Sequence, residues 1–203
     1  GGYNLFQWDG ADYLLIVDYY SRFIEFCRLP NTSSSVVIIH TKSIFARHGI
    51  PKSVRSDNGP QFSAMEYSKF VEEWGFAHVT SSPYHPQSNG LTEKSVQIIT
   101  RMLNESKRDG QDSYLSLLEL RNTKVGDIGS PVQLLMGRRL HTSLPVKTTQ
   151  LEPRTINPDC VKSHLQQEQQ KRKLYYDEGS KPLIPLQKGE NGVDAGPRRV
   201  ETC

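Results

Sequence analysis

Residues 13–17 form the unbroken apolar run Tyr13-Leu14-Leu15-Ile16-Val17. A run of this kind is typical of a central strand that is covered on both faces of a sheet. The stretches on either side of it, residues 3–8 and 23–29, alternate between apolar and polar positions, and the Asp9-Gly10 pair between the first two stretches is a hairpin signal. Together these three stretches predict an antiparallel β-meander at the start of the chain.

After Pro30 the spacing of the apolar residues changes from that of a strand to that of a helix. Asn31 or Thr32 is expected to cap a helix that extends to about Arg47. The next elements are predicted to be a strand, a helix and a second strand, over residues 52–56, 63–74 and 76–80. The resulting order, β-β-β-α-β-α-β, predicts an α/β fold in which a mixed sheet carries helices on its faces.

The second half of the chain is predicted to be a loop followed by helices and polar segments. Two prolines and several small polar residues favour a loop over residues 81–90. Helices are expected over residues 91–107, 112–122, 131–136 and 159–176. The predicted organisation is a core domain over residues 1–122, a connector with a short helix over residues 123–157, and a helix with a disordered tail over residues 158–203.

The composition excludes several classes of protein. The 203 residues include three cysteines with wide spacing and no CxxC pair, which argues against a disulfide scaffold and against a self-contained zinc finger. No apolar run approaches the roughly 20 residues of a membrane span, and no signal peptide opens the chain. The net charge of +3 permits binding to nucleic acid without requiring it.

Four acidic residues stand where predicted elements begin, end or turn: Asp9, Asp18, Asp57 and Glu93. Metal-dependent phosphoryl transfer requires carboxylates that converge on one point, because Mg²⁺ and Mn²⁺ prefer hard oxygen ligands. Each residue also has an ordinary structural explanation, since aspartate favours turns and a glutamate in the first turn of a helix offsets the helix dipole. Position alone therefore does not identify a catalytic site.

Two segments around these acids carry a longer motif. They are Ser56-Asp57-Asn58-Gly59-Pro60-Gln61-Phe62 and Ser82-Pro83-Tyr84-His85-Pro86-Gln87-Ser88-Asn89-Gly90-Leu91-Thr92-Glu93. Asp57 and Glu93 enclose 35 residues. These segments resemble the integrase catalytic core of retroviruses and Ty3/gypsy-type retrotransposons, whose second and third acidic residues have this spacing. The resemblance extends to residues 13–25, 43–51, 134–140 and 173–179, and so covers roughly residues 3–180.

The resemblance implies a fold, an activity and a set of partners. The implied fold is ribonuclease H-like, with a five-stranded mixed sheet flanked by helices. The implied activity is DNA integration, in which 3′ processing and strand transfer of retroelement ends depend on two Mg²⁺ or Mn²⁺ ions. The implied partners are DNA and further copies of the chain, with no membrane, and the implied location is the nucleus.

The family's first catalytic carboxylate is replaced in this chain. The resemblance implies an aspartate on the first strand, six residues before the hairpin glycine, and that position is occupied by Asn4. Asparagine retains a carbonyl oxygen but lacks the negative charge. Asp57 and Glu93 then remain as the metal ligands, with weakened metal binding and impaired catalysis. The alternatives are compensation by Asp18 or Asp12, or a match displaced at this end of the chain.

The helix that contains Glu93 is also a candidate for binding DNA. Gln97 and Arg101 follow Glu93 at intervals of four, which places the three side chains on one helix face. A helix face that carries one acid and several polar or basic residues is expected to contact DNA phosphates. The aromatic residues of the loop before this helix are expected to contact the DNA end. The candidate DNA-binding residues are Tyr84, His85, Lys94, Gln97 and Arg101. The alternatives are a solvated helix face and structural aromatic residues, and His40, His48 and His78 are predicted to be structural.

Two further domains that accompany the core in the family have no counterpart in this sequence. They are a zinc-binding domain before the core and a basic, β-rich domain after it. Because the chain begins with Gly-Gly rather than Met, we expect a truncated or domesticated copy. A second hypothesis is a non-catalytic module, captured by a host, that binds nucleic acid or protein. A third is a nuclease or transposase of the same fold.

Overall fold

The computed structural model describes residues 1–80, 90–126, 128–145 and 147–179. The chain begins with three strands, β1 (Gly2–Trp8), β2 (Ala11–Val17) and β3 (Ile24–Leu29). β1 pairs with β2, and β2 with β3, in antiparallel fashion, which confirms the predicted meander. The turn between β1 and β2 contains Asp9 and Gly10 with φ of 50° and 69°, the backbone that a two-residue hairpin turn requires.

The sheet is completed by two strands that alternate with helices. These elements are α1 (Ser34–His48), β4 (Ser53–Ser56), α2 (Pro60–Ser63), α3 (Met65–Trp74) and β5 (Ala77–Thr80). The strand order is β3-β2-β1-β4-β5, and β4 lies parallel to both β1 and β5. The predicted mixed five-stranded sheet with flanking helices is therefore confirmed.

Two details of the predicted helices are wrong. The residue before α1 is Ser33 rather than Asn31 or Thr32, because the Asn31 side chain accepts a hydrogen bond from the Ser33 backbone N–H at 3.0 Å and so forms a turn ahead of the helix. The helix expected over residues 63–74 begins at Met65, because Ala64 has an extended backbone with φ −71° and ψ 148° and separates it from the short helix α2.

The remaining described elements are helical. They are α4 (Gly90–Asp109), α5 (Ser113–Asn122), α6 (Pro131–Met136), a 3₁₀ turn at Thr148–Gln150 and α7 (Pro158–Gly179). All four predicted helices of this half are present. By its contacts the chain divides into two units, Gly1–Leu165 and Gln166–Cys203, and the sheet belongs to the first. The domain boundaries at residues 122 and 157 stay a prediction, and the loop over residues 81–89 and the tail beyond residue 179 lie outside the described residues.

Alternating residues of β2 pack into two separate hydrophobic cores, one on each face of the sheet. Leu14 and Ile16 pack on one face of the sheet with residues of α1, α2 and α3. Leu15 and Val17 pack on the other face with Ile99 and other residues of α4 and α5. The run that predicted a strand covered on both faces is thus buried by helices on both sides. Across the described parts of the chain, no helix combines the length and the apolar character that crossing a bilayer demands.

Candidate active site

Asn4 and Asp57 lie on neighbouring parallel strands. In the ladder between β1 and β4, Gly2 pairs with Arg55. Asn4 lies two residues after Gly2, and Asp57 lies two residues after Arg55 and directly follows β4. Asn4 is also paired with Leu15, whose side chain belongs to the core beneath α4 and α5. Because cross-strand neighbours project from the same face, the Asn4 side chain lies on the α4 side of the sheet.

The first turn of α4 is held against the start of β1. Thr92 is fully buried, and its hydroxyl lies 3.3 Å from the hydroxyl of Tyr19. A Cβ atom on Gly2 would overlap both Thr92 and Tyr19, so the glycine at this position permits the close approach. Glu93 follows Thr92 directly and is exposed. The packing of Thr92 against Gly2 therefore sets the first turn of α4, which contains Glu93, near the start of β1.

The Asp57 carboxylate is oriented by the turn that it begins. Its Oδ1 accepts a hydrogen bond from the backbone N–H of Gly59 at 3.1 Å, and α2 starts at the next residue, Pro60. The side chain is half-buried. Asp57 therefore forms a turn, which was one of its two possible roles in the sequence. This bond leaves the second carboxylate oxygen and the remaining lone pair of Oδ1 available to a ligand.

A contact that sequence analysis did not identify lies behind Asp57. The buried Ser56 hydroxyl donates to the Asp57 carbonyl at 2.8 Å and lies 2.8 Å from Nε2 of His78. His78 packs against the ring of Tyr67 at a centroid distance of 5.0 Å, and burial lowers the pKa of its imidazole. The sequence predicts a structural role for His78. It does not reveal the contact with Ser56, because nothing local to His78 indicates which strand pairs with β5.

The carboxylates considered as substitutes for the first acid are engaged elsewhere. Oδ2 of Asp18 accepts from the backbone N–H and the hydroxyl of Ser21, at 2.8 and 2.7 Å. Asp12 lies toward the hairpin end of the sheet, where it accepts from Gln7 at 2.9 Å. Neither of them occupies the position of Asn4 beside Asp57. Asp9, in the hairpin turn, accepts from Lys107 at 2.5 Å.

The candidate DNA-binding residues of α4 are exposed. Glu93, Lys94, Gln97 and Arg101 are all exposed to solvent. Arg101 pairs loosely with Glu105 one turn later, at 4.0 Å. Gln97 and Arg101 also line a shallow groove of about 500 Å³ along the helix. Tyr84 and His85, the other two candidates, lie outside the described residues.

The donor atoms at this place suit a hard divalent cation. Asp57 and Glu93 supply carboxylate oxygens, and Asn4 supplies one neutral amide oxygen, which are the ligand types that Mg²⁺ and Mn²⁺ prefer. Among the residues that the structure describes, no three His, Cys, Asp or Glu side chains form a group that could hold a metal ion. The site therefore offers two negative charges from its carboxylates, with a neutral group at the third position.

Comparison with known proteins relates this chain to one family. Residues 7–86 match the family model of the integrase core domain. The chain is therefore similar to an integrase core. The Gag-Pro-Pol polyprotein of mouse mammary tumor virus is 32% identical to this domain over 95 residues, which are 47% of the chain and 5% of the polyprotein. These matches support a retroviral-type integrase catalytic core.

One further relative and two solved structures are also similar to this chain. An uncharacterized protein of Caenorhabditis elegans is 28% identical over 142 residues, 67% of the chain and 11% of that protein. The chain thus spans about a tenth or less of the curated relatives that it matches. The catalytic core domain of BIV integrase matches with a TM-score of 0.59 and 22% identity, covering 66% of the chain and 91% of that structure. A simian T-cell lymphotropic virus intasome matches with a TM-score of 0.60 and 20% identity, covering 72% of the chain and 57% of the matched intasome chain. At these identities the two structures confirm the ribonuclease H-like fold.

Proposed function

We propose that this integrase core domain binds the DNA ends of a retroelement, and that its strand-transfer chemistry is impaired because Asn4 occupies the position of the first metal-binding carboxylate. One observation carries the proposal. β1 and β4 are parallel and pair at Gly2 and Arg55, so Asn4 and Asp57 each follow that pair by two residues, which supports a shared metal site at these two positions. The exposed Glu93 in the first turn of α4 is the third member of the site.

The identity of residue 4 determines how much charge the site can offer. Mg²⁺ or Mn²⁺, held by Asp57 and Glu93, would supply the electrostatic stabilisation that attack on a phosphodiester needs. A carboxylate at position 4 has two anionic oxygens, whereas the Asn4 amide has one neutral oxygen and an NH₂ group that repels cations. We therefore expect weak binding of a first ion, and still weaker binding of a second.

The remaining parts of the proposal concern partners and location. The exposed Lys94, Gln97 and Arg101 on α4 are proposed to contact DNA phosphates, with Tyr84 and His85 at the DNA end. A homo-oligomer is proposed because one of the fold neighbours is an intasome. A Ty3/gypsy-type origin is supported by the sequence of residues 134–140. Because integration acts on chromosomal DNA, we propose a nuclear location, which a fluorescently tagged chain would test.

A strand-transfer assay tests the catalytic part of this proposal. The full chain and its Asn4→Asp variant would be incubated with Mn²⁺, a labelled duplex that mimics a retroelement end, and a target plasmid. We expect the Asn4→Asp chain to exceed the unmodified chain by about 100-fold or more, since a preorganised charge at the reacting phosphate is worth that much. Asp57→Asn in the Asn4→Asp chain is the control and should abolish the product. Robust activity of the unmodified chain, unaffected by Asn4→Asp, would overturn the proposal.

Asn4 also favours a second candidate function, a non-catalytic module that binds nucleic acid or protein. The same preparations distinguish the two functions. If neither chain transfers strands while both bind duplex DNA with an affinity that falls steeply with salt, the domain binds nucleic acid without catalysis. If neither chain binds DNA, the partner is a protein.

A further inference from the structure

The Ser56 hydroxyl connects His78 to the backbone of Asp57. Ser56 Oγ donates to the Asp57 carbonyl oxygen at 2.8 Å, and it lies 2.8 Å from His78 Nε2. A serine hydroxyl has a single hydrogen. Because that hydrogen is given to Asp57, the contact with His78 requires the imidazole to donate from Nε2. The three groups therefore form a chain of hydrogen bonds with one direction, from His78 through Ser56 to Asp57.

The His78 ring also packs against two aromatic rings. The His78 and Tyr67 rings meet at a centroid distance of 5.0 Å and an angle of 65°, and the Phe62 ring lies 6.3 Å away. Tyr67 and Phe62 belong to the core between the sheet and α1 to α3. Burial lowers the pKa of His78, which favours the neutral ring. A neutral ring with its hydrogen on Nε2 is the form that the contact with Ser56 requires.

Asp57 is thus fixed by two independent bonds. Its carboxylate accepts from the Gly59 N–H at 3.1 Å, and its carbonyl accepts from Ser56. The first bond orients the carboxylate, and the second holds the backbone from which the side chain projects. We infer that His78 is a positioning residue which, through Ser56, aims the Asp57 carboxylate at a divalent cation. This inference rests on the proposed function, because it assigns His78 to the same site.

The supporting groups of a metal ligand have a measurable effect on affinity. Removing a group that orients a metal ligand typically weakens the metal affinity by about 10-fold to 100-fold. A residue that only fills the core would lower the stability and leave the affinity of the folded protein unchanged. The affinity of the folded chain for Mn²⁺ therefore separates positioning from simple packing.

The experiment measures Mn²⁺ binding by electron paramagnetic resonance, with thermal unfolding recorded for each sample. The parent is the full chain with Asn4→Asp, which restores the carboxylate. His78→Phe keeps a ring but removes the donor, and Ser56→Ala removes the link. We expect each to weaken Mn²⁺ affinity about 10-fold, with the double variant no weaker than either single variant. Ser56→Thr retains the hydroxyl and should keep the parent affinity.

A matched control comes from the opposite edge of the sheet, where β3 lies. His48 Nε2 lies 2.8 Å from Glu25, away from Asp57, and His48→Gln retains a group that can bond to Glu25. This variant should bind Mn²⁺ as the parent does. If His78→Phe does not fold, Ser56→Ala compared with Ser56→Thr provides the same test.

The outcomes separate the two proposals. If the Asn4→Asp parent binds no Mn²⁺ at millimolar concentration, the proposed function fails, and the inference about His78 fails with it. If the parent binds Mn²⁺ but folded His78→Phe and Ser56→Ala keep the parent affinity, the inference alone is wrong. Losses that add in the double variant would also overturn it, because they would show that His78 and Ser56 act separately.

Discussion

The indole nitrogen of Trp8 donates a hydrogen bond to Oδ1 of Asn104 at 2.8 Å, which joins the last residue of β1 to the second half of α4. At the other end of the strand, Thr92 of the first helical turn packs over Gly2. α4 therefore lies along the whole of β1 with both ends fixed. This alignment sets Glu93 at the same end of the sheet as Asn4.

The bond between Trp8 and Asn104 should contribute to stability. We expect Asn104→Ala to lower the free energy of unfolding by about 1 kcal/mol, the usual net value of a neutral hydrogen bond. Chemical denaturation would measure the change. Gln97→Ala, at an exposed position of the same helix, is the control and should change stability by less than about 0.5 kcal/mol. Equal losses in the two variants would contradict the assigned role.

Gly2 should not tolerate a side chain. In Gly2→Ala the new methyl group would overlap Thr92 and Tyr19, so α4 must shift or the strand must bend. We expect a loss of about 1–3 kcal/mol, typical of overpacking, with faster amide hydrogen exchange in the first turn of α4. Gly90→Ala, where the added carbon meets nothing within 4 Å, should leave stability unchanged or slightly raised. A stable Gly2→Ala with slow exchange would disprove the close packing.

Arg121 should anchor α5 to β3. Its guanidinium donates twice to the carbonyl of Ile24, at 3.0 and 2.8 Å, and pairs with Glu25 at 2.9 Å. Because both charged side chains are less than one-fifth exposed, Arg121→Ala leaves a shielded carboxylate and should cost about 3 kcal/mol. Arg47 contacts the same carboxylate at 3.9 Å and is half exposed, so Arg47→Ala should cost less than about 1 kcal/mol. Thermal and urea unfolding would test whether Arg121→Ala loses more stability than Arg47→Ala.

Cys27 should be far less reactive than Cys160. Burial, with a smaller effect of Glu25, raises the pKa of the Cys27 thiol to about 11, whereas Cys160 is exposed. With iodoacetamide at pH 8, peptide mass mapping should find Cys160 alkylated at least about 10-fold faster. The pKa of the Cys27 thiol is higher in the folded protein than its value of about 8.5 in the unfolded chain. The stability that the neutral thiol contributes is therefore fully present below pH 8.5 and is lost as the pH rises toward 11. Equal alkylation rates at pH 8 would contradict this.

Much of the fold was predictable because its signals are local. The run over residues 13–17, the Asp9-Gly10 turn and the change of period after Pro30 each involve neighbours along the chain. The errors were also local, since the Asn31 side chain satisfies the Ser33 N–H instead of capping α1. The extended backbone of Ala64 divides α2 from α3, and no glycine or proline marks the break.

The site was predictable only in part. The spacing of Asp57 and Glu93 and the asparagine at position 4 are visible in the sequence. The contact of His78 with Ser56 is not, because it depends on parallel pairing between β4 and β5, which α2 and α3 separate along the chain. The engagement of Asp18 with Ser21 likewise became evident only from side-chain geometry.

The sequence by itself determined the strands and helices, the two carboxylates and the neutral residue that replaces the third. Only the tertiary structure decided that Gly2 of β1 pairs with Arg55 of β4, that α4 approaches β1 at Gly2, and that His78 contacts Ser56. The physical reason is the range of the interactions. Turn propensity and hydrophobic period act over a few residues, whereas the order of parallel strands is set when helices cover both faces of the sheet.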